Sequence, residues 1–190
     1  MKINRLITAL MVACLASFAM AGNRELNNDD VMNNNSKTLV AYFSATGTTM
    51  EAATRLAQVA GADLHEIVPE TLYTPADLNW NDKNSRSSLE MADKSSRPAI
   101  AGRVENMAQY DTVFVGFPIW WYIAPTIINT FLEQYDLAGK TVIPFFTSGG
   151  SGAGETLKYL IPSAPDARWV SPKNFNYMDE AEIKAWLESL

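Results

Sequence analysis

At 190 residues, with 47% hydrophobic and 19% charged side chains, the chain has the size for one hydrophobic core and the composition of a packed protein, which excludes disordered and collagen-like classes. Its net charge of −6 makes nucleic acid and anionic membranes poor partners and favours basic protein surfaces. A single cysteine, Cys14, and a single histidine, His65, exclude multi-histidine metal sites and leave little material for a Ser-His-Asp hydrolase.

Met1 to Ala21 reads as a cleavable secretory signal. Lys2 and Arg5 form the cationic start, an apolar run follows from Leu6, and Ala19-Met20-Ala21 places small residues before Gly22. The run is shorter than the roughly 20 apolar residues that span a bilayer, so a transmembrane anchor is not expected. Of 15 basic residues this segment holds Lys2 and Arg5, so its removal leaves 13 against 21 acidic ones, a net −8. The expected location is exported, in the periplasm. An alternative is a lipid anchor at Cys14, because Met11-Val12-Ala13-Cys14 loosely resembles a lipoprotein signal, although the segment stays apolar after the cysteine. With Cys14 removed, disulfides, iron–sulfur ligation and thiol catalysis are excluded, and redox chemistry requires an organic cofactor. Residues 22–37 are polar and rich in asparagine and read as a flexible linker.

The domain is expected over 38–190. Thr38 to Phe43 is a continuous β-rich apolar run, as a strand buried on both faces of a parallel sheet requires. A small-residue loop, Ser44 to Thr49, leads to a helix over Met50 to Ala60 that Gly61 terminates. Asp63 to Val68 is a second strand. Pro69 to Pro98 is too long for a structureless loop, so it should contain a helix near Asn84 to Asp93. Strands over Thr112 to Gly116 and Thr141 to Phe146 bracket a helix over Thr126 to Tyr135, with Pro125 at its start. Thr147 to Gly154 is followed by a helix through Leu160. Ala167 to Val170 is the fifth strand, and Asp179 to Leu190 a closing helix with Ile183, Trp186, Leu187 and Leu190 inward. Alternating strands and helices imply an α/β fold, with a parallel sheet covered on both faces and the site at the strand C-terminal ends.

Ser44-Ala45-Thr46-Gly47-Thr48-Thr49 crowds four hydroxyls and a glycine between a strand and a helix. Unpaired N–H groups and the dipole at a helix N-terminus favour an anion such as a phosphate monoester. The same residues are also what a helix cap uses. The loop lacks the Gly-Lys-Ser/Thr ending of a P-loop and the spaced glycines of a dinucleotide fingerprint. It has no cysteine, basic residue or carboxylate pair for a phosphatase.

Gly116-Phe117-Pro118-Ile119-Trp120-Trp121-Tyr122 places large rings in a loop. They would be buried by a flat ligand or by packing onto the Pro69 to Pro98 segment. Thr147-Ser148-Gly149-Gly150-Ser151-Gly152-Ala153-Gly154 either admits a ligand close to the backbone or is a plain flexible turn. These loops share one sheet edge, so one ligand could touch all three. Arg86 and Arg97 could reach a substrate or stand solvated, and His65 reads as structural.

In this order the three motifs resemble the phosphate loop and the two ring loops of flavodoxin-like proteins, over about Thr38 to Leu160. The resemblance implies a three-layer fold with a five-stranded parallel sheet in the order 2-1-3-4-5, and flavin mononucleotide (FMN) as cofactor. By the same resemblance Ser44, Thr46, Gly47, Thr48 and Thr49 hold the phosphate, Pro118, Ile119, Trp120 and Trp121 flank the isoalloxazine, and Ser148, Gly149 and Gly150 lie on its other edge. The implied function is electron transfer with a redox partner protein, or an FMN-dependent oxidoreductase passing electrons from a nicotinamide donor to a small acceptor of the quinone type. A non-enzymatic FMN-binding or delivery module is the alternative. The export signal and the Pro69 to Pro98 insertion depart from short electron-carrier flavodoxins.

Overall fold

The structure, a computed structural model, describes residues 37–190. The signal segment, Cys14 and all of the expected linker except Lys37 lie outside the described residues. Strand β1 is Lys37–Tyr42, and helix α1 is Thr48–Ala60. Strand β2 is Asp63–Glu66, and β3 is Val68–Pro69. Helix α2 is Arg86–Ala92, and β4 is Ile100–Ala101. Strand β5 is Tyr110–Pro118, helix α3 is Ile127–Glu133, and β6 is Thr141–Thr147. Helix α4 is Thr156–Leu160, β7 is Arg168–Trp169, β8 is Lys173–Asn174, and α5 is Glu180–Leu187.

The sheet runs β2-β1-β5-β6-β7, with β8 also on β6. All of these pairs are parallel, with Val40 opposite Phe114 and Val113 opposite Val142. Counting the five main strands in chain order, this is the expected 2-1-3-4-5 arrangement. Side chains alternate faces with a period of two. Leu39, Ala41, Val113, Val115 and Val142 therefore pack with Ile127, Ile128, Phe131 and Leu132 of α3. Val40, Tyr42, Phe114, Ile143 and Phe145 pack on the other face with Ala52, Ala53 and Leu56 of α1 and Ile183 of α5. Both faces are covered, so the strands read as unbroken apolar runs.

Three elements differ from the sequence expectation. The second strand ends at Glu66, because Val68 and Pro69 turn away to pair antiparallel with Ala101 and Ile100, closing the insertion at its base. The fifth strand is split: β7 pairs with the start of β6 and β8 with its end. The break falls at Val170-Ser171-Pro172, where proline has no N–H for the ladder and restricts the residue before it. The closing helix ends at Leu187, so Leu190 lies beyond it and is exposed, while Ile183 is fully buried.

Inside the insertion, α2 lies within the expected range and is capped by Ser85, whose Oγ accepts the Ser88 N–H at 3.3 Å. Arg97 then fastens the far end of the insertion to α3 through two N–H···O bonds of 2.9 Å to Glu133. That arginine holds the Glu133 carboxyl below its ordinary value of 4.5. The unfolded chain therefore binds the proton more readily, and the stabilisation is present above about pH 4.5 and lost as pH falls through the lower folded value. The pair is largely exposed, so the effect is below about 1 kcal/mol. Arg97→Ala is expected to flatten the acid limb of a urea-unfolding series below pH 5, whereas an unchanged pH slope would remove the pair as its source.

At the other end of the chain Asp179 caps α5 in a reciprocal box, its Oδ1 accepting the Glu182 N–H at 2.8 Å while Glu182 Oε2 accepts the Asp179 N–H at 3.0 Å. Asp179→Ala should lower stability by about 1 kcal/mol, read as a lower urea midpoint at constant m value.

Candidate functional site

The C-terminal ends of β1, β5 and β6 open into one cleft of about 640 Å³, lined by residues of all three following loops and by the insertion. The first loop enters α1 through Gly47, which sits at φ 94°, a left-handed conformation that glycine adopts without a Cβ clash. Among the described residues no side chain caps α1, so the N–H groups of its first turn lack the partner a cap would provide.

The four hydroxyls divide into two pairs. Ser44 Oγ accepts the Gly47 N–H at 3.1 Å and so shapes the loop. Thr49 is buried, and its Oγ1 lies 2.8 Å from Thr147 Oγ1, tying the start of α1 to the end of β6. Thr46 and Thr48 are exposed and line the cleft. Of the two readings of this run, the cap is not the one realised, because no side chain of the described residues caps the helix.

The second loop makes a tight turn. Trp120 and Ile123 exchange N–H···O bonds of 2.9 and 3.1 Å, and the central residues Trp121 and Tyr122 sit at φ 46° and 67°. Two positive-φ residues in a row form the turn that usually takes Asn-Gly. With bulky side chains each costs about 1–2 kcal/mol of strain. The third loop holds this turn in place. A Cβ on Gly154, itself at φ 52°, would stand 2.1 Å from the Tyr122 carbonyl oxygen, so only glycine permits that approach. Buried Thr156 accepts the Ala124 N–H at 3.1 Å and donates to Ala153 O at 2.6 Å. The Ile119 N–H donates to Thr147 O at 2.8 Å.

Asn176, after β8, fixes the third loop: its Oδ1 accepts the Ser148 N–H at 2.7 Å, and its Nδ2 donates to the Ser148 carbonyl at 2.8 Å. The glycine-rich stretch therefore begins as a clamped segment rather than a free turn.

The two tryptophans have different surroundings. Trp120 packs edge-on against Phe43 at 5.6 Å and against Tyr73 of the insertion at 5.4 Å. The Arg86 guanidinium lies 3.9 Å over the other partner's ring, that of Tyr73, and pairs with Glu90 at 2.6 Å, while the Tyr73 hydroxyl donates to Glu90 at 2.5 Å. Burial, reinforced by the Glu90 hydrogen bond, pushes the Tyr73 phenol far above its usual range, so it remains a donor throughout. Trp121 stays 42% exposed. Arg86 and Arg97 are both held in ion pairs rather than presented to the cleft.

Of the twelve residues singled out from the sequence, nine line the cleft: Thr46, Thr48, Thr49, Pro118, Ile119, Trp120, Trp121, Ser148 and Gly149. Ser44, Gly47 and Gly150 do not; the first two act on the loop's conformation, and Gly150 donates its N–H to Ser148 Oγ at 3.2 Å. Ala45, Tyr122 and Thr147, which belong to the same three loops but were not singled out, also line the cleft, and the sequence reading missed Leu78, Trp80 and Ser87 of the insertion. Trp80, a large ring isolated in a polar stretch, was the available signal for the insertion's contribution. His65 lines no part of this cleft. It lies on β2 with its ring stacked 6.0 Å from Phe131, and burial lowers its pKa despite the opposing charge of Glu66.

Relatives in sequence and structure carry the same architecture. A candidate flavoprotein from Bacteroides eggerthii superposes with a TM-score of 0.78 at 54% identity, covering 81% of this chain and 97% of its own. One from Bacteroides uniformis gives 0.77 at 50% identity, covering 80% and 98%. A Lactobacillus acidophilus flavoprotein solved in complex with FMN gives 0.62 at 22% identity, covering 80% and 99%, a likeness of fold. No curated protein matches the chain. The flavodoxin family model matches residues 37–190, the whole of the described sheet and its three clustered loops, and the chain accordingly belongs to the flavodoxin family.

Proposed function

We propose that the chain is an FMN-binding protein of electron transfer, acting either as a shuttle between proteins or as an FMN-dependent oxidoreductase. The observation that carries this reading is the convergence of the loops after β1, β5 and β6 on one cleft, with an uncapped helix N-terminus at one end and exposed aromatic rings at the other. The residues fit the cofactor. The phosphate matches the first-turn N–H groups of α1 and the Thr46 and Thr48 hydroxyls. The flat ring matches the wall formed by Pro118, Ile119, Trp120 and Trp121, with Ser148 and Gly149 at its edge. FMN, when bound, supplies one- and two-electron chemistry that no side chain here can perform. The protein's part is to hold it, to exclude water with the indoles, and to set the electrostatics of a lining that contains no charged side chain among the described residues.

The visible spectrum of the purified protein and a fluorescence titration with FMN test the reading. A flavin spectrum or quenching at micromolar protein supports it. Colourless protein that leaves FMN fluorescence unchanged would sink it. Stopped-flow mixing with NADPH separates the two versions, since the oxidoreductase version requires flavin bleaching within seconds. Export rests on residues 1–21 alone, and N-terminal mass spectrometry of the native protein tests it: a chain starting at Gly22 supports secretion, and a lipid-modified Cys14 replaces it with an anchor.

A further inference from the structure

A separate cavity of about 360 Å³ lies at the opposite end of the sheet, between the segment that leads into β5 and the turn from α3 to β6. Strand β5, nine residues long, separates it from Pro118 at the cleft by about 26 Å. Although the chain has a net charge of −6, this lining carries two cations, Arg103 and Lys140. The Arg103 guanidinium donates to Gln134 O at 3.2 Å and stands 5.6 Å over the Tyr135 ring. The Lys140 ammonium donates to the carbonyl oxygens of Tyr110 and Ala108. Both charges meet neutral carbonyls only. Among the described residues the ion pairs are Arg86–Glu90, Arg97–Glu133 and Lys158–Glu155. Asp136, the carboxylate of the lining, accepts the Ala138 N–H at 3.0 Å and pairs with neither cation.

Bracing the end of α3 and the start of β5 accounts for part of what these side chains offer, and several donors are left over. A guanidinium has five N–H groups and an ammonium three, so each cation keeps at least one unspent. The Tyr135 oxygen accepts the Val104 N–H at 2.7 Å, while its own hydrogen meets no acceptor among the described residues. The Gln134 carboxamide bonds to no described residue, and its Oε1 is buried without a partner, a state that buried polar groups rarely keep. Unspent donors on four side chains around one cavity, two of them cationic, suit an oxyanion. Buried Met107, Ala138 and the Tyr135 ring give the same cavity an apolar side. Two cations less one carboxylate leave the lining at +1, which matches a monoanion better than a dianion.

We propose that this cavity binds a small carboxylate with an apolar body, its charge met by Arg103 and Lys140, its oxygens by the Gln134 carboxamide and the Tyr135 hydroxyl, and its body by Met107. The site is distinct from the cleft and does not depend on the FMN reading.

The test is a nitrogen NMR titration of the labelled full chain, in the presence of FMN, with benzoate and, separately, with benzyl alcohol and inorganic phosphate. Benzoate is expected to give saturable shifts of the Arg103 Nε–H and Gln134 side-chain NH2 signals, with the neutral alcohol and phosphate binding more weakly. Arg103→Gln is expected to weaken benzoate about ten-fold. Gln134→Glu, which places a fixed carboxylate among the same donors, is expected to abolish binding, with urea unfolding of both variants confirming the fold. Four results would overturn the proposal: no saturable shift with the wild-type chain in the millimolar range, affinity unchanged in Arg103→Gln, benzyl alcohol or phosphate binding as tightly as benzoate, or shifts confined to the Trp120 and Trp121 indole N–H signals, which would put benzoate in the cleft. A chain that fails to bind FMN removes the FMN reading and leaves the benzoate result to stand by itself.

Discussion

Gly116→Ala is expected to lower the stability of the fold by about 3 kcal/mol, the upper part of the usual range for forcing a methyl group into a packed core. Gly116 lies in β5 between Tyr42 of β1 and Phe145 of β6. A Cβ there would stand 2.2 Å from Cζ of Phe145. The phenylalanine ring has nowhere to go: it is fully buried and packs at 5.0 Å on Phe175, which in turn meets Trp186 at 5.2 Å. The clash must therefore be relieved by the strands themselves, two residues before Pro118 at the cleft. Urea unfolding measures the loss. If the clash is its cause, Phe145→Leu, which shortens the ring, should recover much of it, so that the double variant is more stable than the sum of the single effects allows. Strict additivity of the two substitutions would remove the steric account.

The second large effect concerns ligand affinity rather than folding. If the proposed phosphate position is right, replacing both Thr46 and Thr48 by alanine is expected to weaken FMN binding by about 3 kcal/mol, on the order of a hundredfold in Kd, because two hydrogen bonds to a charged phosphate would be lost. Both side chains are exposed, so the variant should unfold at nearly the wild-type urea concentration. Riboflavin, which has the same ring and no phosphate, is the control, and its affinity should not change. Equal losses for FMN and riboflavin would mean that these hydroxyls shape the cleft rather than bind phosphate. Ser44 and Thr49 are expected to act differently, since one bonds the Gly47 N–H and the other the Thr147 hydroxyl. Their loss changes the loop first and the ligand second.

The contrast between these two pairs marks a limit of reading by residue type. Four hydroxyls within six residues signal phosphate chemistry, but a hydroxyl's partner is set by which strand end it faces. Thr49 meets Thr147, 98 positions away, and no local pattern carries that information. The tryptophans divide in the same way. Their placement in a loop after a buried strand marks them as site residues, yet only the fold brings Tyr73 against Trp120 and leaves Trp121 exposed. Trp121 and Tyr122 also adopt a turn whose usual residues are absent, because Gly154 on a separate loop and Thr156 at the start of α4 hold it.

Local periodicity was sufficient for the order of strands and helices, since continuous apolar runs alternating with amphipathic segments admit few arrangements other than a covered parallel sheet. It also placed α2 within a polar stretch, where length argued against an unstructured loop. Among the two-residue strands only Arg168–Trp169 was legible, within the expected fifth strand. Val68–Pro69, Ile100–Ala101 and Lys173–Asn174 are two-residue strands that exist only because a partner backbone is near, and Leu190 falls outside its helix because the chain stops winding at Leu187. The loops that line the cleft could be singled out because their hydroxyl, aromatic and glycine residues are consecutive. The insertion's share of the cleft, Leu78, Trp80 and Ser87, required the tertiary structure. Those residues reach the cleft through the β3–β4 closure, the α2 cap and the Arg97–Glu133 pair, contacts between segments that sequence proximity does not bring together.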